Sequence, residues 1–274
     1  MSGILYVTGT PIGNLSDLSP RAAQTLSEVD FIAAEDTRVT LKLLNHLGIK
    51  KPMVSYYEHN KRERGEMIVA RLEQGENCAI VTDAGMPCIS DPGEDLIKLC
   101  AERGVKTVVI PGPSAVISAL AVSGLETGRF TFEGFLSVNK KSRGEHLQSL
   151  RNEKRTMIFY EAPHKLPATL RDLAASFGER KLSIVRELTK IHEEVIRTTT
   201  SYAAEHYSDG SVKGEIVLVL EGAKAEEAES CTREDALALA KRLIEGGAKA
   251  SEAAREAAAA TGFKKNEIYK ELLK

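Results

Sequence analysis

The chain has 274 residues, of which 42% are hydrophobic and 28% charged, with a formal net charge of −2. That length allows two domains and a small third piece around an ordinary globular core. The near-neutral balance excludes a global field for nucleic acid, so such a partner would have to be met by local patches. No apolar run approaches the roughly 18 residues needed to span a bilayer. No basic, cleavable leader precedes the first strand, and the expected location is the cytoplasm. Cys78, Cys88, Cys100 and Cys231 form no C-x-x-C pair, and the histidines do not cluster at ligand spacing. Neither a disulfide framework nor a metal is expected.

The first part alternates strand and helix. "ILYVTG" (Ile4–Gly9) reads as a short buried strand. "SPRAAQTLSEV" opens a helix with Ser19 as N-cap and Pro20 at its first position. "DFIAAE" is a second strand, and "TLKLLNHLG" a helix closed by Gly48. Asn60 and Glu63 have near-capping-box spacing before "KRERGEMIVARLEQG", which ends at Gly75. "CAIVTD" and "KTVVIPG" are strands on either side of the helix "EDLIKLCAERG". "PSAVISALAVSG" is a helix ended by Gly124. This rhythm predicts a mostly parallel sheet covered on both faces.

Near residue 125 the texture changes. "RFTFEGFL", "TMIFYEAP", "KLSIVREL", "EEVIRTTT" and "GEIVLVLEG" read as strands, with the helix "LPATLRDLAASFG" among them. "NKKSRGEHLQSLRNEKR" is a basic amphipathic helix or arm, with six Lys/Arg against two Glu. A more antiparallel α/β domain is expected here. "AKAEEAES" is a polar linker, and three Ala-rich helices separated by Gly follow. The predicted organisation is an α/β protein with an N-terminal α/β domain over 1–115, a second α/β domain over 116–223, a linker over 224–231 and a helical, helix-turn-helix-like tail over 232–274.

Open parallel sheets bind ligands outside the carboxyl ends of their strands. The segments there are "TGTPIGNL", "AEDTR", "SYYEHN", "VTDAGMPCISDPG" and "PGPSA", all rich in residues that let backbone approach a ligand. One such loop is most simply a structural turn; five on one edge point to a ligand. The first loop is neither G-x-G-x-x-G nor a Walker A loop, so neither a dinucleotide nor a P-loop fingerprint is present.

The ordered string "TPIGNL…AEDTR…YYEHN…DAGMPCISDPG…PGPSA…SGL…FEGFL…IFYEAPHKL…RELTKIHEE…GEIVLVLEG" resembles the tetrapyrrole-methylase superfamily, and within it the branch that methylates cytidine 2′-oxygens of 16S rRNA. The resemblance runs from Ile4 to about Gly222. It implies two α/β domains with a cleft that holds folded S-adenosylmethionine largely by backbone, plus the helical tail. Asp83, Gly85, Met86, Pro87, Ile89 and Ser90 match the cofactor wall, and Pro11, Ser114 and Ala115 match other contacts. Tyr160, Gly214 and Glu215 match contributions from the second domain. Met86 stands where Thr is common, Cys88 where Gly is common and Lys165 where Arg is common. A hydroxyl contact at 86 is therefore lost, while backbone contacts survive. The resemblance also implies a homodimer, no metal, and the 30S subunit or its 16S rRNA as partner, with a decoding-centre cytidine as target.

Moving a methyl from a sulfonium to a ribose oxygen rests on alignment, which can supply on the order of 7–11 kcal/mol. A general base adds typically ~10²–10⁴-fold. Asp36, Glu161 and Glu193 rank first for that role, ahead of Glu35, His164 and His192. Asp36 reads equally as the cap of the next helix, and Glu193 as a surface partner of Lys190 or Arg186. For RNA, Lys140, Lys141 and Arg143 are candidate phosphate contacts, with Arg38, Lys61, Arg62 and Arg64 extending the track. Tyr56, Tyr57 and His59 are candidate stacking platforms. Asn14 either bonds the substrate ribose or ends its turn. Two other readings stay open: a small-molecule tetrapyrrole methylase, disfavoured because its usual "G-x-G-P-G-D" loop is absent, and a non-catalytic ribosome-assembly RNA-binding protein, which would bind no cofactor.

Overall fold

The computed structural model describes residues 2–207, 209–210, 212–224, 233–246, 248–261 and 263–272. Chain contacts divide it into two units, Met1–Ala223 and Lys224–Lys274. Most of the expected linker over 224–231, with Cys231, lies outside the described residues.

Within the first unit, β1 (Ile4–Thr8), β2 (Phe31–Ala34), β3 (Met53–Ser55), β4 (Cys78–Val81) and β5 (Lys106–Ile110) alternate with α1 (Pro20–Glu28), α2 (Thr37–His46), α3 (Lys61–Glu73) and α4 (Glu94–Glu102). The sheet order is β3-β2-β4-β1-β5, and every pairing is parallel. The runs FIAA and CAIV are buried at every position, as strands covered on both faces must be. Leu5, Phe31, Ile68 and Leu96 fill one face; Leu26, Ile32, Leu44 and Val81 fill the other.

Local chemistry sets the helix ends. Ser19 accepts from the Ala22 N–H at 3.1 Å, with Pro20 at the first helical position. Asn60 behaves differently from the capping box expected of it. Its Oδ1 accepts from the Tyr57 N–H at 2.8 Å and its Nδ2 donates to the Ser55 carbonyl at 3.1 Å, so it braces the preceding turn instead of the helix.

α5 (Ala115–Ser123) follows β5 but packs on the second sheet, and Gly124 ends it at φ 80°. That sheet contains β6 (Phe130–Phe135), β7 (Thr156–Glu161), β8 (Lys181–Arg186), β9 (Glu194–Thr199) and β10 (Ile216–Leu220), in the order β6-β7-β10-β8-β9. Only β6–β7 is parallel; the other three pairings are antiparallel. α6 (Lys140–Ser149), α7 (Leu166–Phe177) and α8 (Thr200–His206) complete this half. Leu147, Leu170, Leu173 and Ala203 pack with Met157, Phe159, Leu182 and Leu218 on one face. Ile12, Val116, Leu120 and Leu188 pack with Ile158, Val185 and Val217 on the other, so the first loop of the first sheet is seated against the second.

The second unit holds α9 (Arg233–Glu245), α10 (Ala250–Thr261) and α11 (Lys265–Leu272). Ala236, Ala240, Ala254, Ala257 and Ile268 form its buried core. No helix among the described residues is long and apolar enough to cross a membrane.

Candidate active site

The strand-end loops are laced together by backbone. Thr10 and Gly85 exchange two N–H···O bonds of 2.9 and 3.2 Å, tying the first loop to the one after β4. Gly9 and Gly112 pass so closely that a Cβ on Gly9 would lie 2.7 Å from the Gly112 Cα. The loop after β4 then turns through Gly85 (φ 91°), Cys88 (φ 70°) and Ser90 (φ 64°). Left-handed backbone costs a residue with a side chain ~1–2 kcal/mol. Cys88 and Ser90 therefore hold conformations that glycine would adopt more cheaply, which marks this loop as shaped for more than connection.

A cavity of about 350 Å³ opens between this loop and the second sheet. Its floor is a cross-strand row: Phe135 pairs with Tyr160, Tyr160 with Val217, and Val217 with Val185. Ile12, Ala115 and Leu188 add apolar wall, and Asp91, Glu161 and Glu215 add carboxylates. An apolar cleft with a few placed charges is the usual form of a small-molecule site. This one suits a ligand that is part flat and apolar, part cationic.

The carboxylates sit in different surroundings. Glu161 is 4% exposed; it accepts from the Ala162 N–H at 2.8 Å and from the Thr169 hydroxyl. Thr169 in turn accepts from Arg143 Nη2 at 2.8 Å, and Asp172 holds Arg143 Nε at 2.5 Å. Asp91 is half-buried, and burial, then the Glu35 charge, pushes its carboxyl up to about 6. Glu35 accepts from the Thr82 hydroxyl at 2.5 Å, at the base of the same loop. Glu215 reaches Lys190 Nζ at 3.3 Å.

Of the residues expected to hold the cofactor, Ser90, Ala115, Tyr160 and Glu215 line this cavity, and Glu161 lies beside them. Pro11 and Asp83 line a separate hollow of about 220 Å³ against α2. Gly85 forms the bridge to Thr10, Met86 Sδ packs toward Gly9, Pro87 is buried and Ile89 is exposed. Ser114 occupies the N-cap position of α5 without a side-chain bond. Gly214, at φ 89°, precedes Glu215, whose N–H donates to Glu187 Oε1 at 2.9 Å.

The remaining expectations are distributed elsewhere. Asp36 is the N-cap of α2, accepting from the Arg38 N–H at 2.8 Å, and the Arg38 guanidinium holds its carboxyl down to about 2. Glu193 is exposed and accepts from the Thr189 N–H at 2.6 Å. Asn14 caps a short 3-10 turn, Leu15–Asp17. Tyr57 lines an open trough with Glu35, His59, Ser90 and Asp91. Tyr56 is buried in the first sheet's core and offers no stacking face. Lys61 is bound to Glu58 at 2.9 Å and Asp95 at 2.8 Å. Lys140 and Arg143 line a groove between α6 and α7, while Lys141 points away toward Glu145 at 3.9 Å. Asp91 went unnoticed in the sequence because "SDPG" reads as a plain turn; its signal was its place at the end of the β4 loop.

This architecture, two α/β halves with strand-end loops facing a shared cavity, defines a class. The family model of Tetrapyrrole (Corrin/Porphyrin) Methylases matches residues 4–204, and the chain belongs to that family. A solved uroporphyrin-III C-methyltransferase from Thermus thermophilus, described as complexed with S-adenyl homocysteine, shares the fold: TM-score 0.57 at 15% identity, over 80% of this chain and 97% of that one. Closer in sequence are proteins named Ribosomal RNA small subunit methyltransferase I. That of Synechocystis sp. is 47% identical over 97% of this chain and 96% of its own length. That of Bacillus subtilis is 43% identical over 97% of this chain and 93% of its own.

Proposed function

We propose that this protein transfers a methyl group from S-adenosylmethionine to the ribose 2′-oxygen of a decoding-centre cytidine in 16S rRNA. The carrying observation is the cavity itself: an apolar cross-strand floor beside Asp91, Glu161 and Glu215. When bound, S-adenosylmethionine supplies a methyl on a sulfonium, a good leaving group. Val185, Leu188 and Val217 keep water from it, and the carboxylates favour its positive charge. The left-handed Ser90 and the start of α5 at Ala115 shape the opposite wall. Pro11, Asp83, Gly85, Met86, Pro87, Ile89, Ser114 and Gly214 do not line the cavity, and this reading gives them cofactor contacts only through the loops that carry Ser90, Ala115 and Glu215.

In the reaction the ribose oxygen forms a bond to the methyl carbon as the carbon–sulfur bond breaks, and the hydroxyl proton passes to a carboxylate. Geometry favours Glu161 and Asp91 for that proton, since both face the cavity. Asp36 acts in this reading as a helix cap and Glu193 as a loop brace. The relatives' printed name supports an RNA acceptor. In this reading the substrate is an assembled or nearly assembled 30S subunit and the enzyme a cytoplasmic homodimer; the relatives' name supports the ribosomal substrate.

The test is an equilibrium titration with S-adenosylmethionine, followed by transfer assays on unmodified small subunits and on a tetrapyrrole acceptor. Saturable binding with label on the particles supports the proposal. Label on the tetrapyrrole alone would move the enzyme to another branch of its family, and a flat titration would make it a non-catalytic binder.

A further inference from the structure

The groove between α6 and α7 encloses about 680 Å³ and carries four cationic side chains, Lys140, Arg143, Lys165 and Arg171, against one carboxylate, Asp172. That carboxylate is already taken by Arg143 at 2.5 Å. Lys140, Lys165 and Arg171 make no ion pair among the described residues. Three uncompensated cations around one trough repel each other, and a polyanion relieves that repulsion. Ala168, Arg171 and Ala175 line the groove from α7 and Lys165 lines it from the N-cap position, so small alanine side chains alternate with the cations along its floor.

The groove is joined to the cavity by the shortest of connections. Glu161, Ala162 and Pro163 line the cavity, and the next two residues, His164 and Lys165, line the groove. Five residues span at most about 18 Å. A strand with its reactive ribose at the cavity mouth therefore has phosphates a few nucleotides away at Lys165. Arg143 also links the two places, because the guanidinium that borders the groove anchors Thr169, and Thr169 donates to Glu161.

We infer that the α6–α7 groove is a binding site for the RNA backbone flanking the target nucleotide, with Lys140, Lys165 and Arg171 as its phosphate contacts and Arg143 as the fixed strut between groove and cavity. This deepens the proposed function and rests on it for the identity of the strand. It also changes the expected contact set: Arg143 is a positioning residue, Lys141 lies outside, and Lys165 and Arg171 enter.

The test uses the full chain and the double variant Lys165→Ala/Arg171→Ala, with Lys181→Ala as an exposed-lysine control. Binding of a fluorescent single-stranded RNA is measured against salt, alongside melting temperature and S-adenosylmethionine affinity. Each lost phosphate contact flattens the log-affinity against log-salt slope by about 0.7 for a single strand. The double variant should bind RNA at least 10-fold more weakly, with a slope shallower by about 1.4, unchanged cofactor affinity and an unchanged melting temperature. The KM for small subunits should rise with kcat at saturation preserved. Unchanged RNA affinity and slope in a folded double variant would overturn the groove, even if small subunits are methylated. Weakened RNA binding together with no transfer to small subunits by the unaltered protein would keep the groove and remove the proposed reaction. Loss on particles without loss on naked RNA would assign the groove to an acidic ribosomal protein and overturn it as an RNA site.

Discussion

The Thr169 hydroxyl donates to Glu161, and the same oxygen accepts from Arg143, so the hydroxyl proton has one direction available. A buried carboxylate at the end of β7 is thereby held by Thr169 of α7, which is itself held by Arg143 of α6. Replacing Thr169 by Val removes the donor, leaves Arg143 Nη2 without its acceptor, and keeps the volume. An unsatisfied buried polar group costs about 1–3 kcal/mol. Thr169→Val should lose that much stability in urea denaturation, and transfer should fall with it. Glu161→Gln should lower single-turnover transfer by about 10²-fold or more if Glu161 takes the proton. A change under threefold would pass the role to Asp91.

Asp91 carries its own pH signature. Its carboxyl ionises at about 6 in the folded chain, against ~3.9 when unfolded. Between those values the folded protein holds the extra proton, so this group makes stability fall as pH rises from 4 to 6, and the full cost remains above 6. Solvent reaches the half-buried group, which reduces the cost to roughly 1 kcal/mol. Asp91→Asn should therefore gain about 1 kcal/mol at pH 7.5 and nothing at pH 4 in urea unfolding. Cofactor affinity should move the other way. In the unaltered protein it should rise from pH 5 to 7 as Asp91 ionises beside the sulfonium, and in Asp91→Asn that rise should vanish.

Asp36 separates capping from catalysis. Its exposed carboxylate accepts from the Arg38 N–H at the start of α2 and stays ionised to about pH 2, which suits a cap and makes a weak proton acceptor at neutral pH. Asp36→Ala should lower the melting temperature. Asp36→Ser should restore it, with transfer rates within a few-fold of the unaltered enzyme. Equal loss of transfer in both variants, at 10²-fold or more, would return Asp36 to the reacting centre.

The close pass of the first and fifth loops predicts a fourth stability effect. A Cβ on Gly112 would stand 2.8 Å from the Gly9 Cα, backbone against backbone, with no flexible side chain to yield. Gly112→Ala should cost about 1–3 kcal/mol or more and weaken cofactor binding, because the strain falls on the loops that form the wall. Gly48→Ala, where open space surrounds the site but φ is +69°, should disturb stability without touching the cofactor.

Much of this was legible in the residues. The apolar runs FIAA and CAIV announced central parallel strands, and Ser19-Pro20 and Gly124 announced helix ends, because burial and backbone preference act locally. The turn-forming residues after β4 announced an irregular loop for the same reason, and the structure shows it turning through left-handed backbone at Gly85, Cys88 and Ser90. What stayed hidden depends on distant pairs. Arg143 meets Thr169 and Asp172 across 26 and 29 residues, so its bonds to α7 could not be read from the local run of basic residues. The groove that Lys165 and Arg171 share with Lys140 exists only because α6 lies alongside α7. Tyr56 looked like its neighbour Tyr57 until the turn buried one and exposed the other. α8 carries no apolar period long enough to announce itself, and its Thr199 cap is seen only in the fold.

The central claim is tested most directly by mapping the methyl group. Unmodified small subunits are incubated with the protein and isotopically labelled S-adenosylmethionine, and the rRNA is digested and analysed by mass spectrometry. The account predicts one label, on the ribose of a single decoding-centre cytidine, resistant to alkaline cleavage at that linkage. A label on a base, a label scattered over many riboses, or cofactor binding with no label on any RNA would contradict it.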